Sequence, residues 1–306
     1  MRHQAADSAL EPLFLALGEP PLSTRFALLH RPAGRVVGLV VQAPAFAEEM
    51  NKSRRMVALQ ARALCAQGHA VLQLDLLGCG DSDGDLADAS WQRWVQDLVA
   101  AARWLQDQVG RWTGPEQSLP PLTLWGHRAG ALLAVEAAAQ LPDVKQLLLW
   151  QPPASGKPLL QQFLRLAVAA KMLGGRASGG MDELRTRLAS GQTVEIAGYH
   201  LPANVALGME AARLAPGHNL AVRRVIWLEV SPRDTPELSP ASAAPIASWR
   251  QTGCEVLTGA VQGPAFWQTT EIEDAPALID ATLGAMAMAL PEKTSDPGDV
   301  CAAVSA

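Results

Sequence analysis

A glycine-framed turn at residues 124–130, Leu-Trp-Gly-His-Arg-Ala-Gly, carries the clearest chemical pattern in the sequence. Its frame is that of a nucleophile elbow, G-x-S-x-G, in which a sharp strand-to-helix turn projects a nucleophile into a pocket. Arg128 stands at the serine position, between Gly126 and Gly130. A guanidinium is permanently protonated and cannot be the nucleophile. The turn therefore predicts either chemistry by other residues or the loss of chemistry.

The segments around this turn predict alternating strands and helices. Two short apolar runs flanking residues 18–21 predict a β-hairpin at the edge of a sheet. The alternation that follows is typical of right-handed crossovers and a mostly parallel sheet. The predicted strands are 36–41, 70–76, 122–125, 146–150, 225–230 and 255–257, and the predicted helices are 50–67, 90–109, 129–140, 241–251 and 275–290.

The predicted domain organisation is one α/β domain with an insert. Residues 13–152 and 219–290 form the core, with helices on both faces of the sheet, and residues 153–218 form a helical cap. Residues 1–12 and 291–306 are expected to be flexible, because chain ends without packed apolar residues tend to be loosely held.

The element order resembles the α/β-hydrolase fold with a cap. A second motif supports this resemblance: residues 68–82 are similar to the hydrolase stretch G-x-x-V-x-x-x-D-x-R-G-x-G-x-S, with Leu77 in place of the arginine. In that stretch, Asp75 and Ser82 are expected to make turns, since their oxygens accept backbone N–H bonds.

The resemblance implies where the partners of a serine nucleophile would lie. The base would follow the last strand, near residues 260–268, and the acid would follow the penultimate strand, where Asp234 is found. The six histidines are His3, His30, His69, His127, His200 and His218. None lies beyond residue 218, so Ser-His-Asp catalysis is not expected. Arg128 and Asp234 remain only as candidates for a degenerate site; His127 is the less favoured hypothesis of a displaced base.

Four segments carry a more specific resemblance. Residues 45–55, the Arg-containing elbow, residues 194–199 and residues 266–269 together resemble the second hydrolase associated with the exosortase A system. That family accompanies PEP-CTERM protein sorting and exopolysaccharide synthesis. The resemblance implies a hydrolase, acting on an ester, thioester or glycan-linked acyl group if active. The alternative is a non-catalytic protein that binds an anionic ligand or a protein partner of that system.

Two hypotheses describe what meets the charge of Arg128, because an unpaired buried charge costs several kcal/mol. In the first, a carboxylate of the chain fills the former site; Glu48, Glu49 and Asp234 are the candidates. In the second, a ligand carboxylate, phosphate or acidic sugar supplies the charge at a helix N-terminus. The predicted ligand-binding residues are Arg128, Ala129, Phe46, Glu48, Glu49 and Trp267, the amides of Ala129 and Phe46 resembling an oxyanion pair.

Composition limits the class of protein. A net charge of −5 without a long basic run argues against a nucleic-acid partner. No signal peptide or run of eighteen apolar residues is found, so we expect a cytoplasmic protein without a membrane span. Four separated cysteines predict reduced thiols. No His, Cys, Asp and Glu cluster has metal-ligand spacing, and we expect neither a metal nor a cofactor.

Overall fold

A central sheet of eight strands organises the computed structural model, which describes residues 9–114, 117–173, 180–217 and 221–291. The strands are β1 (Ala9–Ala16), β2 (Thr24–Arg31), β3 (Gly38–Ala43), β4 (His69–Leu74), β5 (Leu122–His127), β6 (Val144–Trp150), β7 (Val194–Ile196), β8 (Tyr199–Leu201), β9 (Arg224–Ser231) and β10 (Glu255–Gln262). The sheet order is β1-β2-β4-β3-β5-β6-β9-β10, and β7 and β8 form a separate pair.

The sheet is parallel from β4 to β10, and the predicted hairpin β1–β2 lies antiparallel at its edge. Because β1 begins at Ala9 and pairs with Arg31, the prediction that residues 1–12 are flexible is wrong for residues 9–12. Ladder hydrogen bonds hold this segment although its side chains are largely exposed. The proposed tail at 291–306 lies outside the described residues except for Pro291.

Helices cover both faces of the sheet. One apolar cluster joins α2 and α3 to alternate sheet residues such as Leu39 and Val41, and another joins α1 and α8 to Val40 and Val71. Strands buried on both faces explain the nearly continuous apolar runs in the sequence. The helices are α1 (Glu48–Ala66), α2 (Trp91–Thr113), α3 (Ala129–Ala138), α4 (Gly156–Leu173), α5 (Met181–Ala189), α6 (Ala203–Ala211), α7 (Ala243–Gln251) and α8 (Pro276–Ala287).

The chain leaves the sheet between β6 and β9, where a cap was predicted. It forms α4, α5 and α6, as expected of a helical cap, and β7 and β8 add a short hairpin to it. The turn between them uses Ala197 at φ 50° and Gly198 at φ 85°. Three-residue strands are too short for a period-2 pattern to be recognised.

Two further properties bear on the sequence predictions. Cys65, Cys79 and Cys254 are free thiols, and Cys301 lies outside the described residues. Among the described helices, none is both long and apolar enough to cross a bilayer.

Candidate functional site

The turn has the strained geometry of a nucleophile elbow, with Arg128 at its tip. Arg128 lies between β5 and α3 with φ 54° and ψ −117°, a conformation that non-glycine residues rarely adopt. A Cβ atom on Gly130 would overlap the backbone oxygen of Ala43 at the end of β3, and one on Gly126 would overlap the backbone of Ala131. The two glycines therefore permit the close strand–helix approach that the turn requires.

Arg128 makes a bidentate ion pair with Glu49 in the first turn of α1. Its Nη2 lies 2.8 Å from Glu49 Oε1, and its Nε lies 3.1 Å from Oε2. The side chains are only 12% and 18% exposed. Paired N–H donors match the two carboxylate oxygens, which makes this one of the stronger kinds of polar contact. Of the three carboxylates predicted as partners, Glu49 is the one that binds Arg128.

The other two carboxylates have different partners. Tyr199 Oη in the cap hairpin donates a hydrogen bond of 3.1 Å to Glu48, and Asn51 donates to the same oxygen of Tyr199 at 3.1 Å. Asp234 accepts a bond of 3.1 Å from Gln262 in an exposed position. Successive helix residues point about 100° apart, so α1 directs Glu49 to the elbow and Glu48 to the cap. The hypotheses that Glu48 or Asp234 pairs with Arg128 are wrong.

Aromatic residues form the base of the site. The guanidinium carbon of Arg128 lies 5.5 Å from the ring centroid of Trp267, within cation–π range. Trp267 is 4% exposed and follows Phe266 in the loop after β10. The ring of His127 lies 5.3 Å from that of Phe266 and is completely buried.

His127 does not have the properties of a displaced base. Burial and, to a smaller extent, the positive charge of Arg128 lower the pKa of His127 to about 3. Neither of its ring nitrogens makes a hydrogen bond among the described residues. A proton acceptor must reach the group that it deprotonates, directly or through one water. His127 is therefore a neutral packing residue behind the elbow.

The other described histidines lie away from the elbow. His69 begins β4 and His30 pairs with Val71, so both occupy the amino end of the parallel strands, opposite the elbow. His200 is exposed on the cap hairpin. His3 and His218 lie outside the described residues. The loop after β10, residues 263–268, contains no histidine.

The cap closes over the loop that precedes α1. The ring of Phe46 lies 4.8 Å from that of Phe163 in α4. A cavity of about 60 Å³ remains beside Glu49, between this loop and α4. The backbone N–H groups of Ala129 and Phe46 make no hydrogen bond within the described structure and stay available to an anion.

Tyr199 is the site residue that pattern reasoning from the sequence missed. It ties the cap hairpin to α1 through Glu48 and Asn51, and its ring lies 6.0 Å from that of Phe163. Its segment carries part of the specific resemblance, but nothing in a single sequence indicates which helix the hairpin will contact.

Comparisons with known proteins agree with this architecture. Residues 50–186, somewhat less than half of the chain, match the family model described as serine aminopeptidase, S33. No curated protein matches the sequence.

Solved structures resemble this chain over most of its length. A protein from Agrobacterium vitis S4 has a TM-score of 0.56 at 15% identity, covering 91% of this chain and 98% of that one. Est1E from Butyrivibrio proteoclasticus, solved with ferulic acid, has a TM-score of 0.55 at 16% identity, covering 86% and 94%. A carboxyl esterase from Bacillus coagulans has a TM-score of 0.53 at 14% identity, covering 83% and 90%. Identities this low establish only the architecture: the chain has the α/β-hydrolase fold.

Proposed function

We propose that this chain is a hydrolase-fold protein of the exosortase A, PEP-CTERM and exopolysaccharide system in which the elbow recognises an anionic group instead of supplying a serine nucleophile. The bidentate pair between Arg128 and Glu49 carries the proposal. It shows that the elbow already orients a guanidinium to hold a carboxylate.

The system assignment is supported by where its four resembling segments lie. Residues 45–55 supply Glu49 to Arg128, and residues 266–269 supply Trp267 beneath the guanidinium. Residues 194–199 supply Tyr199 to Glu48. The segments are far apart in sequence and belong to one site, as expected if the resemblance reflects a shared function rather than a shared fold.

The anion-binding role follows from the chemistry of the pair. A ligand carboxylate has the same shape and charge as that of Glu49 and would replace it on Arg128. Free amides of Ala129 and Phe46 and the positive end of α3 would add to the attraction. Glu49 thus acts as an internal occupant that the ligand displaces toward solvent.

A fluorophosphonate probe and ester turnover test the catalytic half of the proposal. We expect no stoichiometric labelling of the purified protein and no hydrolysis of p-nitrophenyl butyrate. Arg128→Ser should gain neither property, because no histidine follows β10 to accept the serine proton. Labelling of a single serine in the natural protein would overturn this half of the proposal.

Thermal unfolding with glucuronate, an acidic sugar, tests the binding half. Glucuronate should raise the melting temperature, whereas the matched neutral sugar glucose should not. Arg128→Ala should abolish the shift, and Glu49→Gln should enlarge it because the competing carboxylate is gone. Glu48→Gln is the matched control, since Glu48 binds Tyr199 instead. If glucuronate, acetate and phosphate shift neither the natural protein nor Glu49→Gln, the anion role is wrong and the pair only fills the former site.

Hydrolysis by atypical residues is the second candidate function. The strained backbone of Arg128 favours it, because such strain is often kept at catalytic positions. Turnover of an ester or thioester that is lost in a folded Arg128→Ala variant would establish this candidate instead.

A further inference from the structure

A second cavity of about 230 Å³ lies between the first half of α1 and strands β2, β3 and β4. Its walls are mainly apolar and include Phe26, Leu28, Met50 and Val57. It lies behind the loop at Ala45, on the sheet face that α1 covers, and shares no lining residue with the smaller cavity beside Glu49.

Gln42 is the least expected residue in this wall. It is only 4% exposed, it lines the cavity, and its amide makes no hydrogen bond with a described side chain or backbone group. Its amide atoms are not among the fully enclosed polar atoms without a partner, so the amide faces the open space of the cavity. The adjacent strand places Gln73 directly beside it in the sheet register. Two amides on one face thus border the same space.

The hydrogen bond of Gln73 determines what that residue offers. Its Oε1 lies 2.6 Å from His30 Nε2. Because an amide oxygen can only accept, His30 Nε2 is the donor in this contact, and burial, which lowers the pKa of His30, favours the neutral ring. The Gln73 amide nitrogen therefore remains as a donor toward the cavity, while Gln42 retains both a donor and an acceptor.

The charged groups of the cavity cancel each other. Arg54 and Asp75 lie 3.6 Å apart, with side-chain exposures of 50% and 10%. Asp75 also accepts a bond of 3.1 Å from the backbone of Asp81. No unpaired charge is left among the lining residues, so an ionic ligand would gain little and lose its hydration.

We propose that this cavity is a binding site for a small uncharged molecule that carries a primary amide on an apolar ring or chain. The amide carbonyl would accept from Gln73, the amide nitrogen would donate to Gln42 Oε1, and the apolar body would pack against Phe26 and Val57. The site is independent of the proposed anion site, because Arg128 and Glu49 do not line it.

Benzamide is the probe for this proposal, measured by calorimetric titration of the full-length protein. We expect a Kd of about 1 mM or tighter, as is reasonable for a fragment of this size. Gln42→Leu should weaken binding at least tenfold, because it preserves the side-chain volume and removes the amide that faces the cavity. Ala58→Phe should also abolish binding, because residue 58 lines the cavity and a ring there fills it.

The controls separate this site from nonspecific binding and from the anion site. Gln140→Leu, at an exposed position after α3, and Arg128→Ala should both bind benzamide as the natural protein does. Benzoate, the charged counterpart, should bind at least tenfold more weakly than benzamide. The proposal is wrong if Gln42→Leu binds benzamide as tightly as the natural protein does, or if the natural protein does not bind benzamide. Either result holds independently of the glucuronate test of the anion site.

Discussion

Arg128 combines two costs at one residue, a strained backbone and a mostly buried charge. Arg128→Ala and Arg128→Gly both delete the ion pair, but only glycine adopts φ 54° without a Cβ penalty. We expect Arg128→Gly to be more stable than Arg128→Ala by about 1 kcal/mol in urea unfolding. Ala247 occupies an unstrained, exposed helix position. There alanine should be more stable than glycine, so Ala247→Gly should lower the free energy of unfolding by up to about 1 kcal/mol. If glycine is the less stable choice at both positions, the elbow is not strained.

At the residue scale, the sequence predicted where the elbow lies but not which carboxylate contacts Arg128. The spacing of Gly126 and Gly130 identified the elbow, because those glycines are required by a close approach that any elbow shares. Choosing Glu49 over Glu48 depends on the rotation of α1, which is set by how Met56 and Val57 pack on the sheet. One residue of rotation would reverse the choice, and no local pattern encodes it.

Close approach between elements explains why two glycines should respond oppositely to alanine. Gly130→Ala should destabilise the protein by about 3 kcal/mol or more, because its Cβ meets the rigid backbone at Ala43. Gly284→Ala, in the exposed interior of α8 with no atom within 4 Å, should stabilise it by about 0.5–1 kcal/mol. Denaturant midpoints measure both, and equal effects would show that elbow packing is not tight.

The contact between cap and core can be followed through one chromophore, since Tyr199 is the single tyrosine. Burial and, to a smaller extent, the bond to the Glu48 carboxylate raise the pKa of Tyr199 to about 12. Because the folded pKa exceeds the unfolded value of about 10, the protonated phenol stabilises the folded protein. This contribution is present below pH 10 and is lost as the pH rises toward 12. An absorbance titration near 295 nm should show that the Tyr199 phenol ionises at a higher pH than a free tyrosine does.

Glu48→Gln tests that interpretation of the cap contact. Removing the neighbouring negative charge should move the Tyr199 transition to lower pH, whereas Glu195→Gln in the exposed part of β7 is the matched control. A transition that both variants leave unchanged would mean that the hairpin does not rest on α1 in solution.

Over the whole molecule, alternation of apolar runs was enough to predict the α/β class and most element positions. It failed where tertiary contacts decide the outcome. The last strand was predicted to end at 257 but continues to Gln262, because β9 offers a parallel partner along its whole length. The cap hairpin was missed since Val194 and Ile196 are buried by neighbouring helices rather than by a sheet. The sequence does not predict the cavity behind α1 for the same reason. Gln42 and Gln73 are 31 positions apart and become neighbours only through the strand register.

Buried imidazoles couple the stability of the whole fold to acid. Burial lowers the pKa values of His30, His69 and His127, the last to about 3. A folded pKa below the unfolded value of about 6.5 gives stability that is present above pH 6.5 and is lost as the pH falls toward 3. For His127 alone, the loss between pH 7 and pH 4 should be about 3 kcal/mol.

His127→Phe should therefore flatten the pH dependence of unfolding more than it changes stability at neutral pH, because phenylalanine keeps the ring contacts with Phe266 and Trp267 but takes up no proton. Phe266→Leu disturbs the same cluster without removing an imidazole, so its curve should run parallel to that of the natural protein at lower stability. Urea unfolding at several pH values between 4 and 7 measures both slopes. If His127→Phe retains the full slope, folding does not lower the pKa of His127, and at pH 4 the elbow holds two adjacent positive charges instead of one.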